Sequence, residues 1–594
     1  MIRIDANRYS LLRATLALGL IALLLTFVGV GSIQAQGAPA APPAAAPAAP
    51  AAEPKPDPGD SSTGAAADVF GMPTNQKIND AVDMTSGDAT AQGKILDAAK
   101  KSEPFAAGLA DAVGHLKVAT NFGWTLNTGY LVLFMQAGFA LLTTGLIRKK
   151  NAGHLMMLNF AAYVIAFIGY YICGFAFQFG AAGVSGGIQV PSNLGGTASL
   201  NHWLVPHFLG GTGFFLSGGA YDVGANALIL FEVVFMETAG YIIVGAICER
   251  ITFGAFILCE LFIGSILYPI FGCWCWGGGW LADLGNTKHL GHGYVDFAGS
   301  TVVHGVGGFA AMALAVILGP RIGKYGPDGK PRAFPAHNIP FVVTGTFILL
   351  FGWMGFNPGS TLGATDLRIS VVAINTNLAA ISGAAVAMIF WYAKFGKPDI
   401  SMACNGMLAG LVAITAPCAF VNPTSAMIIG ALAGLTVCWG VLFNDNVLKI
   451  DDPCGAISVH GYCGWLGGIC VGIFADGTYG QGWSGTGATE YMKTSAAKGN
   501  LLGVTGLLHG DTSQFIAQII GSSVMVAWAF GLTFIVFKIV NTIKSMRVSR
   551  EVELEGIDEP EFGTLAYPED VSFPSGGTSP AMPYGAGKPA TATE

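Results

Sequence analysis

Asp296-Phe-Ala-Gly299-Ser-Thr-Val-Val303-His304-Gly305-Val-Gly-Gly308 and Asp452-Pro-Cys-Gly455-Ala-Ile-Ser-Val459-His460-Gly461-Tyr-Cys-Gly464 are two copies of one pattern. A carboxylate, a valine, a histidine and three glycines keep their order and spacing over an offset of 156 residues. Both copies lie in apolar sequence. Ionisable groups inside a membrane are expensive, so two histidines at matching places in an internal repeat point to a substrate path.

Composition agrees with a membrane setting. Charged residues make up 11% of the 594 positions, hydrophobic ones 52%, and mean hydropathy is +0.56. Long apolar runs replace the several soluble domains that length alone would imply. The 84 glycines suit closely packed membrane helices. Net charge is −7 with no basic block, which argues against nucleic acid as a partner. No paired CxxC or CxxCH occurs, so neither a zinc ribbon nor a haem attachment motif is visible. Cys273 and Cys275 read as small apolar packing residues.

Arg3, Arg8 and Arg13 precede an apolar stretch from Ala14 to Gly31, with Ala35 as a cleavage point. Residues 1–35 therefore read as a signal peptide, with an uncleaved anchor helix as the alternative. Residues 36–118 read as an Ala/Pro-rich linker and exported N-terminal segment. From Trp124 about eleven transmembrane helices of roughly 18 to 26 residues are expected, giving an all-α polytopic membrane domain over 119–545. A C-terminal tail follows over 546–594, with a Gly/Pro/Thr-rich end after Pro568.

With the first span starting outside, the inner loops collect Arg148, Lys149, Lys150, Arg250, Arg321, Lys324, Lys330, Arg332, Lys394, Lys397 and Lys449. The outer loops hold only Lys288, Arg368, Lys493 and Lys498. This bias puts the mature N-terminus outside and the C-terminal tail in the cytoplasm. His304 falls in the fifth span and His460 in the tenth. The expected architecture is thus two inverted five-helix repeats plus a final helix. Each histidine follows its aspartate by eight residues, about 12 Å at 1.5 Å per residue. In a hydrocarbon core about 30 Å thick, the two rings reach mid-depth from opposite sides.

Met135-Gln-Ala-Gly-Phe-Ala-Leu-Leu142, Trp276-Gly-Gly-Gly279, Gly352-Trp-Met-Gly-Phe-Asn-Pro-Gly-Ser360 and the two repeat motifs, in this order along about 120–567, resemble the ammonium transporter (Amt) family. Trp276 favours its ammonium-transporter branch over the Rhesus-like branch. The resemblance implies an outer recruitment site at Trp276, Phe356 and Ser360, and a phenylalanine gate at Phe235 and Phe356. Phe231 is a further vestibule aromatic, His304 and His460 line the pore, and Asp296 supports the site. It also implies a homotrimer in a bacterial inner membrane, no cofactor, no enzymatic activity, and methylammonium as a substrate mimic.

The residue types suit that chemistry. Aromatic faces attract a small cation and a serine hydroxyl accepts an N–H bond. A bare cation in a dry pore is costly, whereas ammonium can shed a proton and pass as ammonia. Net charge movement is expected. Trp203, Trp280 and Trp483 read instead as interfacial anchors.

Two features depart from the family pattern. Glu232 stands where glutamine is usual and Glu237 where a small residue is usual, and both are expected at a helix or subunit contact. The tail from Arg547 to Tyr567 resembles the family's regulatory segment, which engages PII signalling proteins at the cytoplasmic face. Phe562, however, replaces a common histidine there. An ammonium sensor with little conduction is the alternative function, and a haem or metal redox enzyme built on the two histidines a third.

Overall fold

The computed structural model describes residues 101–182, 200–366, 368–478 and 503–568. The expected leader at 1–35, the Ala/Pro-rich segment up to residue 100, Trp483, Lys493, Lys498 and the chain after residue 568 lie outside the described residues.

Among the described residues, eleven apolar helices follow one another. They are α1 Pro104–Leu146, α2 Lys149–Phe179, α3 Val223–Ile247, α4 Phe253–Cys275, α5 Ser300–Leu318 and α6 Ile339–Gly359. Then come α7 Ile369–Phe395, α8 Ile400–Ile414, α9 Pro423–Leu448, α10 Ile457–Phe474 and α11 Thr512–Ile543. Ten are long and apolar enough to cross a membrane; α8, at 15 residues, falls short. Its end is set by Pro417, which cannot donate a backbone bond. The chain beyond α8 is held by side-on bonds instead: Ala416 N–H donates to Ser300 Oγ at 2.6 Å, and Thr415 O accepts from Ala298 N–H at 3.1 Å.

Helix lengths depart from the expected 18 to 26 residues elsewhere too. α1 runs for 43 residues and begins at Pro104, inside the stretch read as exported linker. Pro104 suits a first helical turn, where a missing N–H leaves no bond unmade, and the chain simply continues helical into the apolar span. α11 reaches 32 residues.

The two repeats, α1–α5 and α6–α10, run antiparallel. Along the α5–α10 contact, a Cβ placed on Gly467 would meet Ser300, one on Gly464 would meet Gly305, and one on Gly308 would meet Gly461. Numbers rise on one helix as they fall on the other. The α1–α6 contact reads the same way, with Gly138 against Gly345 and Gly355 against Thr128. Glycine lets the backbones touch, the usual route to tight membrane packing.

At the end of the bundle where α3 and α5 finish, a charge lattice ties the connections together. Arg321 grips Asp451 with two bonds of 2.8 and 2.9 Å and also pairs with Glu249. Arg148 meets Glu249 at 2.7 Å. Burial alone would raise the Asp451 carboxyl, but the Arg321 hydrogen bonds and the Arg250 and Arg321 charges hold it well below the usual range. Glu249 is likewise held low, the Arg321 and Arg148 charges outweighing its burial.

The tail packs onto this lattice through α12 Arg550–Glu555 and α13 Asp558–Phe562. Arg547 pairs with Glu553 at 2.9 Å, and Glu553 Oε1 accepts from Ile322 N–H at 2.7 Å. Asp558 accepts the N–H groups of Gly153 and His154 at the start of α2, and Phe562 lies against His154 and Phe253.

Candidate functional site

Each repeat motif begins with an aspartate that caps the following helix by folding back over a glycine. Gly299 has φ +106° and Gly455 φ +77°, values strained for any other residue. Asp296 accepts from the N–H groups of Gly299, Ser300, Thr301 and Val302 at 2.8 to 3.0 Å and from the Thr301 hydroxyl at 2.6 Å. Asp452 accepts from Ala456 and Ile457 at 2.9 and 2.8 Å. The turns carrying the histidines, Ser300–Gly305 and Ile457–Tyr462, are both widened to five-residue hydrogen bonding, a feature common at functional sites.

Because Gly308 and Gly464 let α5 and α10 touch, the two histidines meet. His304 Nδ1 and His460 Nδ1 are 3.3 Å apart, with ring centroids at 5.3 Å and planes 28° from parallel. His304 is fully buried and His460 is 5% exposed. His304 Nε2 has no hydrogen-bond partner among the described residues.

A column of rings runs from this pair. Phe356 stacks on His304 at 5.3 Å, Phe235 on Phe356 at 4.0 Å, and Phe231 follows at 4.5 Å. At a centroid separation of 4.0 Å the Phe235 and Phe356 rings are in van der Waals contact and leave no space between them. Trp276 meets Phe235 edge-on at 6.4 Å, and its indole N–H donates to Asp296 O at 2.8 Å. Ser360, one turn after Phe356, donates its hydroxyl to Phe356 O at 2.8 Å. Trp276, Phe235, Phe356 and Ser360 thus form one connected aromatic and hydroxyl group above the histidines, and Asp296 is tied to it through Trp276.

Three further residues belong to the column and escaped the sequence reading. Trp353 stacks on His304 at 5.1 Å, held by its N–H bond to Thr415 Oγ1 at 3.0 Å. Phe139 sits 6.4 Å from His460, and Tyr241 stacks on Phe139 at 5.6 Å. Trp353 and Phe139 stood inside quoted motifs. Tyr241 carried no sequence signal, because one tyrosine in an apolar helix reads as packing. Beyond His460 lies a cavity of about 20 Å³ between Phe139, Tyr241, Asn405, Cys454, Val459 and His460, room for about one water-sized molecule.

The two unusual acids sit at helix contacts within the chain. Glu232 accepts from Gln178 of α2 at 3.2 Å, and Glu237 from Gln136 of α1 at 2.9 Å. Among the described residues no three His, Cys, Asp or Glu side chains converge as metal ligands. Cys273 and Cys275 are buried and free. Trp280 packs against Phe208 and Trp274 rather than standing alone as an anchor.

Comparison with known proteins gives a consistent result. The Ammonium Transporter Family profile matches residues 123–567. Ammonium transporter Amt2 of Archaeoglobus fulgidus is 44% identical over 457 residues, covering 77% of this chain and 90% of that protein. Ammonium transporter Amt1 of Haloferax mediterranei is 34% identical over 461 residues, covering 76% and 79%. Among solved structures, one described as "Sensor Amt Protein" matches at 34% identity and TM-score 0.63, covering 75% of this chain and 99% of that one. Saccharomyces cerevisiae Mep2 matches at 27% identity and TM-score 0.59, covering 73% and 88%.

Proposed function

The chain belongs to the Ammonium Transporter Family, and from that we propose that it moves ammonium across its membrane by recruiting the cation, deprotonating it and conducting ammonia past two histidines. It is a multi-pass membrane protein and not an enzyme. The observation that carries the reading is the unbroken ring column from Phe231 through Phe235, Phe356 and His304 to His460.

Recruitment falls to Trp276, Phe356 and Ser360. Ring faces stabilise the cation as water is removed, and the Ser360 oxygen accepts an N–H bond while its own hydrogen is engaged by Phe356 O. Asp296 supports this end by bonding nearly every donor in the first turn of α5, fixing Trp276 through its carbonyl. The closed Phe235–Phe356 stack admits a neutral molecule when the rings swing, whereas a desolvated ion faces a barrier of several kcal/mol. Past the gate the imidazole nitrogens are the polar partners that the ring column presents, ahead of the Tyr241 and Asn405 side chains at the cavity beyond His460. Neutral imidazole accepts at one nitrogen and donates at the other, so each ring can hold ammonia in turn, and a hydrogen passes between the rings as one ring gains a proton at its outer nitrogen and the other releases one from its own. Ammonia crossing alone carries no charge, so transport moves net charge when the proton released at recruitment also crosses, along the histidine pair or a separate water path.

The basic loops at the tail-bearing end support a cytoplasmic tail and an outer recruitment site. A bacterial inner membrane, a homotrimer and a PII protein docking near the α12–α13 tail complete the reading. Phe562 fills a site between His154 and Phe253, so PII engagement here relies on the remaining tail surface.

The second reading is an ammonium sensor that binds without much conduction. It is favoured by the 34% identity to the structure described as "Sensor Amt Protein", nearly all of which this chain covers. Current recording on proteoliposomes after an ammonium pulse separates the two. Sustained currents support transport; binding with no current above empty liposomes supports sensing and sinks the conduction mechanism.

A further inference from the structure

Glu237 is not alone in its part of the bundle. Glu260 of α4 is fully buried, and neither of its carboxyl oxygens has a hydrogen-bond partner among the described residues. Its Oε2 presses on Gly240 of α3, where a Cβ could not fit. Gly240 follows Glu237 by three residues and so shares its helix face. Glu237 is also fully buried: one oxygen accepts from Gln136, and the other, Oε1, is unpartnered. Three of the four oxygens in two neighbouring buried acids are therefore unsatisfied.

Such a pair needs an occupant, because buried oxygens without donors are costly and two adjacent negative charges in a membrane more so. The occupant must take almost no room, since Glu260 Oε2 already lies against the α3 backbone at Gly240. A proton meets that condition and a metal ion or ammonium does not. We propose that Glu237 and Glu260 form a shared-proton pair, a second intramembrane proton site separate from the two histidines.

The site has a neighbour on the conduction path. Tyr241 lies within electrostatic reach of Glu237, Glu260 and Tyr163, and the same tyrosine lines the cavity below His460. The titratable groups facing the pair are Tyr163 from α2, Tyr241 on α3 and Cys259 on α4, none of them cationic. With no basic partner, the acids must keep a proton between them, and Tyr241 is the titratable side chain that lies near both acids and also lines the cavity beyond His460. The connection to conduction rests on the transport reading; the shared proton does not.

Infrared difference spectroscopy on the membrane-embedded full chain, without ammonium, tests the pair directly. The wild type should show a protonated carboxyl band that shifts in heavy water and persists at neutral pH. E237Q and E260Q should each remove part of it and shift what remains, because each acid loses the partner it shared; E232Q should remove its own contribution without shifting the remainder. Additive loss with no shift of the remaining band would overturn sharing. Absence of a protonated carboxyl band in the wild type would overturn the site altogether, whether or not the glutamine variants fold. Currents on the same proteoliposomes form a separate arm. A wild type with the band and no current keeps the proton pair and removes the transport reading. With currents present, E260Q should alter their pH profile, and an unchanged profile would overturn the link through Tyr241.

Discussion

His304 Nδ1 and His460 Nδ1 face each other across 3.3 Å, although one ring comes from the first turns of α5 and the other from the first turns of α10. At that separation one nitrogen carries a hydrogen and the other accepts it. The two rings therefore hold complementary tautomers, and passing the hydrogen exchanges their roles when the donor ring takes up a proton at its Nε2 and the acceptor ring releases one from its own Nε2.

Replacing both histidines with alanine should abolish methylammonium-driven current. One lost neutral hydrogen bond is worth about 0.5–1.5 kcal/mol, and the α5–α10 glycine contact persists, so the variant should still fold. Thermal unfolding in detergent, read beside the current, checks both. Undiminished proton-coupled transport in a folded variant would sink the mechanism.

Asp296→Asn should be more harmful than Asp452→Asn. An amide keeps one acceptor oxygen but turns a donor toward the N–H groups of the capped turn. Asp296 serves four backbone N–H groups and the Thr301 hydroxyl, against the Ala456 and Ile457 N–H groups bonded to Asp452. A loss of about 1–3 kcal/mol is expected for each stranded buried donor. Unfolding midpoints of the two variants side by side provide the measurement, and equal midpoints would contradict the ranking.

Gly308→Ala should separate the repeats. Its methyl group would land on the Gly461 backbone, which has no side chain to move aside. Overpacking of this kind costs about 1–3 kcal/mol, and relief requires α5 and α10 to part, drawing the histidines away from each other. Current should fall well beyond the change in folded fraction. Full current in this variant would mean the close crossing is dispensable.

Acid should weaken the lattice at the tail-bearing end. Asp451 and Glu249 are held below their unfolded values of about 3.9 and 4.3. Their contribution is therefore fully present above those unfolded values and drains away as pH falls through the lower folded ones. Arg321→Met leaves two buried acids without their main cation, a loss of about 3–5 kcal/mol at neutral pH. The gap between wild type and variant should narrow on acidification, as measured by unfolding midpoints from pH 7 down to pH 3. A gap that stays constant would show that the lattice contributes little.

Much of the fold was legible because membrane helices announce themselves locally. A span needs only a run of apolar residues, so eleven helices and their five-plus-five division could be counted from the chain. Their ends were less legible. α1 extends back to Pro104 and α8 stops at 15 residues, the first because a polar stretch can stay helical when an adjoining span anchors it. The second depends on Ser300, far away in sequence, accepting the next stretch of backbone. Trp276, Phe235, Phe356, Ser360 and the histidines were visible through motif and repeat. Trp353 and Tyr241 were not, since stacking on a distant ring leaves no mark on either residue's neighbours.

The chain itself determined the inverted repeat, because the Asp–Gly–His–Gly spacing and an odd number of spans in each repeat dictate opposite directions whatever the packing. Only the tertiary structure decided that the two imidazoles touch, that Phe235 and Phe356 stack, and that Glu260 comes against the Gly240 face of α3. Those contacts join helices far apart in sequence, and their distances depend on how closely glycine faces such as Gly308 and Gly240 allow backbones and side chains to approach.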